Sequence, residues 1–439
     1  MSRATSFARR IRPRRRSKVA LVCAGGGITG AVYEIGCLRA LDELLDRKLV
    51  DLDLYVGISG GAFVASLLAA GVDPREMYDE AVTKGPSALG AASADVFRLD
   101  GIEFLRRAGR APRVLAGALR TSLSGDGRNW SDLVWSLFEL LPAGLLDTSG
   151  VQEYLQRVFR TRLGGDGFAA LKHPLNVVAV DLDNGEAVAF GSRGHRDVPI
   201  SKAVQASTAV PGLYRPVRIK GRDYVDGGVR KTAHINLAIQ GGAKLVICIN
   251  PIVPYLNDTA KGALHGHLSN RGVTWVLDQV MRIMLHGRME YGLERYRREH
   301  PDVDILLIEP TRDDMRMFGY NIMRTSARRL VAEHGYRSAL AFFRRTAARQ
   351  RRLFAKHGIG FADPRRIRGV PPAPAARAGF ARTLDGVLDG LEAKLRAIRT
   401  RPSAAARAGR PPSAASSRAR SRKSGSPGSG PRPPRARTR

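Results

Sequence analysis

Residues 55–66 read YVGISGGAFVAS, a single serine, Ser59, with Gly57 before it and Gly60 and Gly61 after it. Glycine is costly inside regular structure, so three of them around one serine need a local reason. Ahead of the serine runs the apolar stretch DLDLYVGI, and behind it runs AFVASLLAAG. A strand that ends near Ile58 and a helix that begins just beyond would leave Ser59 on a tight strand-to-helix turn. Upstream, KVALVCA (18–24) reads as a buried strand and AVYEIGCLRALDELLDRK (31–48) as an amphipathic helix. Strand, helix, strand, helix in that order implies an α/β fold with a mainly parallel sheet and crossover helices.

The same pattern continues downstream. LNVVAVDLDNGEAVAFG (175–191) reads as two strands joined at Asn184–Gly185. ISKAVQASTAVPGLY (200–214) begins as a helix and ends near Pro211, and YVDGGV (224–229) is a strand end and turn. KLVICIN (244–250) and VDILLIE (303–309) are further buried strands, and residues 270–299 and 324–357 read as long helices, the second rich in arginine. Leu384, Val387, Leu388, Leu391, Leu395 and Ile398 recur at helical spacing. Residues 85–150 are rich in Gly, Ala and Arg and read as short helices and loops, in the manner of a lid. From about residue 400 the chain is a Ser/Ala/Pro/Arg low-complexity tail, expected to be disordered.

A hydrophobic fraction of 44% over 439 residues is ample for one large core with additions. The net charge of +32 suggests a nucleic-acid protein until it is located. Residues 1–18 carry eight Arg or Lys and no acid, residues 401–439 carry eleven and no acid, and residues 324–368 carry thirteen against two. The body over 19–323 is neutral. Basic ends on a neutral body suit adhesion to an anionic surface rather than a basic active site. Cys23, Cys37 and Cys248 are too few and too dispersed for a zinc site or a disulfide framework, which fits a reducing compartment. The basic start lacks a long enough apolar run for a secretory signal. Residues 54–72 are uncharged and mostly apolar, but Gly57, Ser59, Gly60 and Gly61 interrupt them. A soluble, cytoplasmic or peripheral protein is expected.

Gly57-Ile58-Ser59-Gly60-Gly61 matches G-x-S-x-G, the nucleophile elbow. Such a turn aims the Gly60 N–H and the following helix N-terminus at a developing oxyanion. Gly25-Gly26-Gly27-Ile28-Thr29-Gly30 forms a second glycine-rich segment between strand and helix, able to present consecutive N–H groups to an anion. Gly25, Gly27 and Gly30 also satisfy the dinucleotide fingerprint G-x-G-x-x-G. That fingerprint needs an acid at the end of the second strand. Asp51 and Asp53 precede the strand instead, and a dinucleotide site leaves Ser59 unexplained. A base for the serine could be Asp226, at a strand end before Gly227 and Gly228. A histidine from His234, His265, His267 or His286 would instead complete a triad.

GGGITG, GISGG, ASTAVPGLY and DGG, in that order and separation, resemble the patatin-like phospholipase family. The resemblance covers roughly residues 19–250, and it implies a three-layer α/β/α fold related to the α/β hydrolases. It implies Ser59 as nucleophile and Asp226 as general base, a two-residue catalytic unit without histidine. It also implies oxyanion donors from Gly25, Gly26, Gly27, Gly30 and Gly60, with Gly57, Gly61, Gly227 and Gly228 shaping the elbow and turn. Thr29 stands where the family usually carries Arg or Lys, so a charge near the loop is lost. The organisation that follows is a basic arm over 1–18, a catalytic domain over 19–250, a remaining strand and basic helical extension over 251–400, and the tail over 401–439. The expected activity is hydrolysis of lipid carboxylic esters, with no metal and no organic cofactor. The Arg-rich helix, with Phe342, Phe343, Leu353 and Phe354, would lie on anionic lipid. Nucleic acid ranks below lipid, because no recognisable binding module accompanies the charge. A catalytically weak scaffold of the same fold is the alternative to an enzyme.

Overall fold

A computed structural model describes residues 17–83, 146–260, 266–314 and 328–367, with short pieces at 98–99, 116 and 143–144. The basic arm before residue 17, most of the 85–150 stretch, and everything after 367 lie outside the described residues. The helix expected over 384–398 is among them.

Eight strands form one sheet: β1 (Val19–Cys23), β2 (Leu54–Ile58), β3 (Leu175–Asp181), β4 (Ala187–Phe190), β5 (Val217–Ile219), β6 (Arg222–Asp226), β7 (Leu245–Ile249) and β8 (Asp304–Ile308). Their spatial order is β8-β7-β1-β2-β3-β6-β5, with β4 also paired to β3. The run from β8 to β3 is parallel, and β4, β5 and β6 are antiparallel. VALVC, LYVGI and LVICI are buried at every position, as parallel strands covered on both faces must be. The alternation of side chains divides β1 between two cores. Val19, Leu21 and Cys23 enter one, while Ala20 and Val22 enter the other.

Helices fill both faces. α1 (Gly27–Leu44), α2 (Gly60–Ala69), α3 (Pro74–Thr83), α4 (Ser149–Leu163), α5 (Ile200–Ser207) and α8 (Arg328–Lys356) contribute to the first core. α6 (Ile235–Gln240) and α7 (Val273–Glu299) contribute Ile235, Ala238, Met289, Leu293 and Tyr296 to the second. The result is the three-layer α/β/α arrangement with a mainly parallel central sheet. Residues 54–72 are strand β2 and the buried helix α2, and among the described residues no helix is long and apolar enough to cross a membrane.

Two elements differ from the sequence pattern. α1 begins at Gly27, four residues before the expected start, so the end of the glycine run is the first helical turn. Nor does α1 have a solvent face: from Thr29 to Leu44 only Arg39 and Glu43 escape full burial. The cover is α8. A Cβ on Gly36 would collide with the Ala332 carbonyl, and one on Gly335 would collide with the Tyr33 carbonyl, so the two backbones touch. The Cys37 thiol donates to the Gly335 carbonyl across this crossing at 3.4 Å. α8 therefore does not present its apolar residues to lipid. Phe343 and Phe354 are fully buried, and Phe342 and Leu353 pack on the same core. Beyond Arg328, which is buried, its arginines lie on the outward side because its apolar side is already occupied.

Candidate active site

The register of the sheet sets the site. Ile58 at the end of β2 is level with Val178 of β3, so Ser59 leaves the sheet at the height of Ala179. Ala179 pairs on its other side with Asp226, the last residue of the antiparallel strand β6. β6 thus ends where β2 ends, and its carboxylate arrives beside the serine. Ser59 adopts φ 55°, ψ −128°, a left-handed conformation rarely held by a residue with a Cβ. Two hydrogen bonds hold it there. The Ser59 N–H donates to Ser207 Oγ at 2.9 Å, and Ser207 Oγ donates to the Val178 carbonyl at 2.6 Å. Ser207 ends α5 and is fully buried, so the elbow is tied to both α5 and β3.

Gly61 makes the turn sterically possible: a Cβ there would collide with the carbonyl oxygens of both Cys23 and Ala24. α2 then starts at Gly60 and α1 at Gly27, and both first turns line one cavity. The leading N–H groups of a helix have no partner within it, so two positive helix ends converge on the space beside Ser59. Gly25 lies against the Ser59 side chain, and Gly26 and Gly30 pack on Pro251, which follows β7. Gly57 packs on Ala62 and Gly227 on the Val178 carbonyl.

Asp226 is 5% exposed, and its carboxyl, beside the Ser59 elbow, accepts a hydrogen bond from the Gly228 N–H at 2.7 Å. Burial raises its pKa to about 6, against the opposing pull of the Ser59 side chain and the Gly228 N–H. No histidine among the described residues bonds Ser59 or Asp226. His234 lies 3.5 Å from the Gly227 carbonyl, and burial lowers its pKa to about 4, which keeps it neutral. His286 sits between Glu290 and Glu309, and His267 is exposed. His265 lies outside the described residues. Among the described residues no group of His, Cys, Asp and Glu is arranged to hold a metal.

Ser59 and Asp226 open into a cavity of about 400 Å³, walled largely by apolar side chains such as Ile28, Val32, Ile35, Phe63, Val210, Leu213, Leu277 and Met281. Thr29 is in the wall as well. So is Arg328 at the start of α8, whose buried Nε and Nη1 have no hydrogen-bond partner among the described residues. A second depression, of about 530 Å³, lies over the outer side of α1 and α3. Its charged walls pair with one another, Arg39 with Glu43 and Asp79 and Lys48 with Asp42, and it holds no nucleophile.

Ser207 and Arg328 carry no assigned role at the level of sequence. Ser207 lies within ASTAVPGLY, where a small polar residue at the end of the helix was the available signal. Arg328 stands in an arginine-rich stretch and gives none.

Comparison with known proteins agrees with the motif order. Residues 21–239 match the family model described as patatin-like phospholipase. A probable lipid hydrolase, 463L, of Invertebrate iridescent virus 6 is 23% identical over 222 residues, which is 50% of this chain and 63% of that protein. The uncharacterized protein YjjU of Escherichia coli (strain K12) is 26% identical over 243 residues, 55% of this chain and 54% of its own length. The chain thus spans a little over half the length of these relatives. Among solved structures, VipD from Legionella pneumophila is similar over 79% of this chain and 68% of its own, at 19% identity and a TM-score of 0.35.

Proposed function

We propose that this chain, which carries a patatin-like phospholipase domain across residues 21–239, hydrolyses carboxylic ester bonds of lipids through Ser59 and Asp226. The observation that carries this reading is the elbow itself: Ser59, in a left-handed turn, beside the buried Asp226 carboxylate, both lining one apolar cavity. Ser59 Oγ attacks the ester carbonyl while Asp226 takes its proton. The negative charge that develops on the carbonyl oxygen is met by N–H groups of the Gly25–Gly30 segment and of Gly60. Collapse of the tetrahedral species expels the alcohol, protonated by Asp226, and leaves Ser59 acylated. A water molecule, deprotonated by the same carboxylate, then releases the fatty acid and restores the serine.

An aspartate at its reference pKa near 3.9 is a weak base, and a pKa of about 6 brings Asp226 closer to the working pH. The apolar wall suits an acyl chain, and a phospholipid's anionic head group would find its counter-charge in Arg328. The test is hydrolysis of short- and long-chain p-nitrophenyl esters by wild type, Ser59→Ala and Asp226→Asn at equal folded concentration. Each substitution is expected to lower kcat by at least about 10³-fold. Turnover that survives Ser59→Ala would sink the mechanism. No turnover by any form, on any lipid ester, would favour a scaffold that keeps the fold without the chemistry.

A further inference from the structure

Among the described residues, α7 leaves a large apolar surface uncovered. Val273, Val276, Leu277, Val280, Met281 and Met284 follow one another at spacings of three, one, three, one and three residues, which places them along one side of the helix. Their exposures run from 38% to 69%, and Ile283 beside them is 53% exposed. At 1.5 Å per residue the stripe is about 17 Å long. Between Gly272 and Met289 the acidic side chain is Asp278, half-buried and paired with Arg282 at 2.8 Å. Exposed Arg271 and Arg288 stand at the two ends, and Trp275 lies under the Arg271 guanidinium.

We infer that this face of α7 is the surface on which the protein settles onto a lipid layer, with Val276, Val280 and Met284 immersed among acyl chains and Arg271 and Arg288 at the head groups. It rests on the lipid-hydrolase reading above. A lipid surface is the occupant because the stripe runs into the cavity: Leu277 and Met281 are exposed on α7 and also form the wall of the space that holds Ser59 and Asp226. A lipid tail could pass from the layer to the serine along a continuous apolar path without crossing water. A second protein copy seated on the same stripe would close that path. An apolar helical face bracketed by cations, with Trp275 at its margin, is the pattern of a helix lying in the membrane interface.

The test uses the full chain carrying Val276→Glu, Val280→Glu and Met284→Glu, none of which lines the cavity. Flotation with neutral phosphatidylcholine vesicles in 0.5 M salt removes most of the contribution of the basic flanks. Wild type is expected to float, with its tryptophan fluorescence partly quenched by brominated lipid. The triple variant should bind on the order of tenfold or more weakly, because charges are forced into the interface. Its turnover of soluble p-nitrophenyl acetate should stay within about twofold of wild type, since the site chemistry is untouched. Equal flotation of the two proteins overturns the inference. So does a wild-type dimer that the triple variant dissociates, with neither form floating. Vesicle binding that depends on the stripe in a protein lacking esterase activity would retain this surface while removing the catalytic reading.

Discussion

Ser59 concentrates the cost of the site in one residue. A side chain held in a sparsely populated backbone region costs of order 1–3 kcal/mol, and Ser207 supplies the hydrogen bond that holds the turn in place. Asp226 is costly in a different way, because burial disfavours its charged form. Its folded pKa lies above its unfolded value. Its protonated form is therefore the better tolerated one, and that advantage, complete below about pH 4, is lost as pH rises through about 6. Two outcomes follow from the same number. The acid limb of kcat/KM should fall near pH 6 rather than near 4, as read from a pH profile on a soluble ester. Asp226→Asn should lose activity yet unfold at higher urea than wild type at pH 8, with the difference vanishing below pH 4. An acid limb near pH 4, or a variant less stable than wild type at pH 8, would remove Asp226 as a buried base.

Among the elements, the crossing of α1 and α8 is the one most sensitive to volume. Gly36 and Gly335 bring the two backbones into contact. Gly335→Val has no room without moving a helix, and is expected to cost roughly 1–3 kcal/mol or more, seen as a lower urea midpoint at unchanged slope. An unchanged midpoint would mean that α8 lies elsewhere. This crossing is also where the sequence was least legible. Strands buried on both faces announce themselves as unbroken apolar runs, so VALVC, LYVGI and LVICI are legible within a residue or two, and DILLI, half-buried at the sheet edge, shows nearly as clearly. The glycines and serine of the elbow were equally plain, because so few conformations suit them. Amphipathic patterns are different. They record which residues are apolar and leave open what will cover them. In α1 the polar Glu34 and Asp42 are buried with their neighbours. In α8 the apolar face that suits lipid is the face that packs on α1. The exposed stripe lies instead on α7, where Asp278, Arg282 and His286 interrupt the apolar run and hide it. Register carried the rest. That Asp226 returns on an antiparallel strand to the height of Ser59 depends on pairing through β3, which no local motif encodes.

For the molecule as a whole, the family-matched segment ends at residue 239 but the sheet does not. β7 and β8 extend it beyond that point, and α8 buries Val331, Tyr336, Phe343 and Phe354 in the first core. A chain cut after residue 250 would expose the outer side of α1 and the edge of β7, and is expected to be insoluble or molten, whereas one ending at residue 367 should unfold cooperatively. Sharp, dispersed amide resonances from the shorter fragment would show that the late elements are dispensable. The same arrangement has a consequence in time. The ribosome delivers α1 some three hundred residues before it delivers the end of α8, an interval of roughly 15–60 s at ordinary elongation rates. Throughout that interval the side of α1 that carries Tyr33 and Cys37 lacks the helix it will pack against. The nascent protein must be sheltered by something else until its own cover is made.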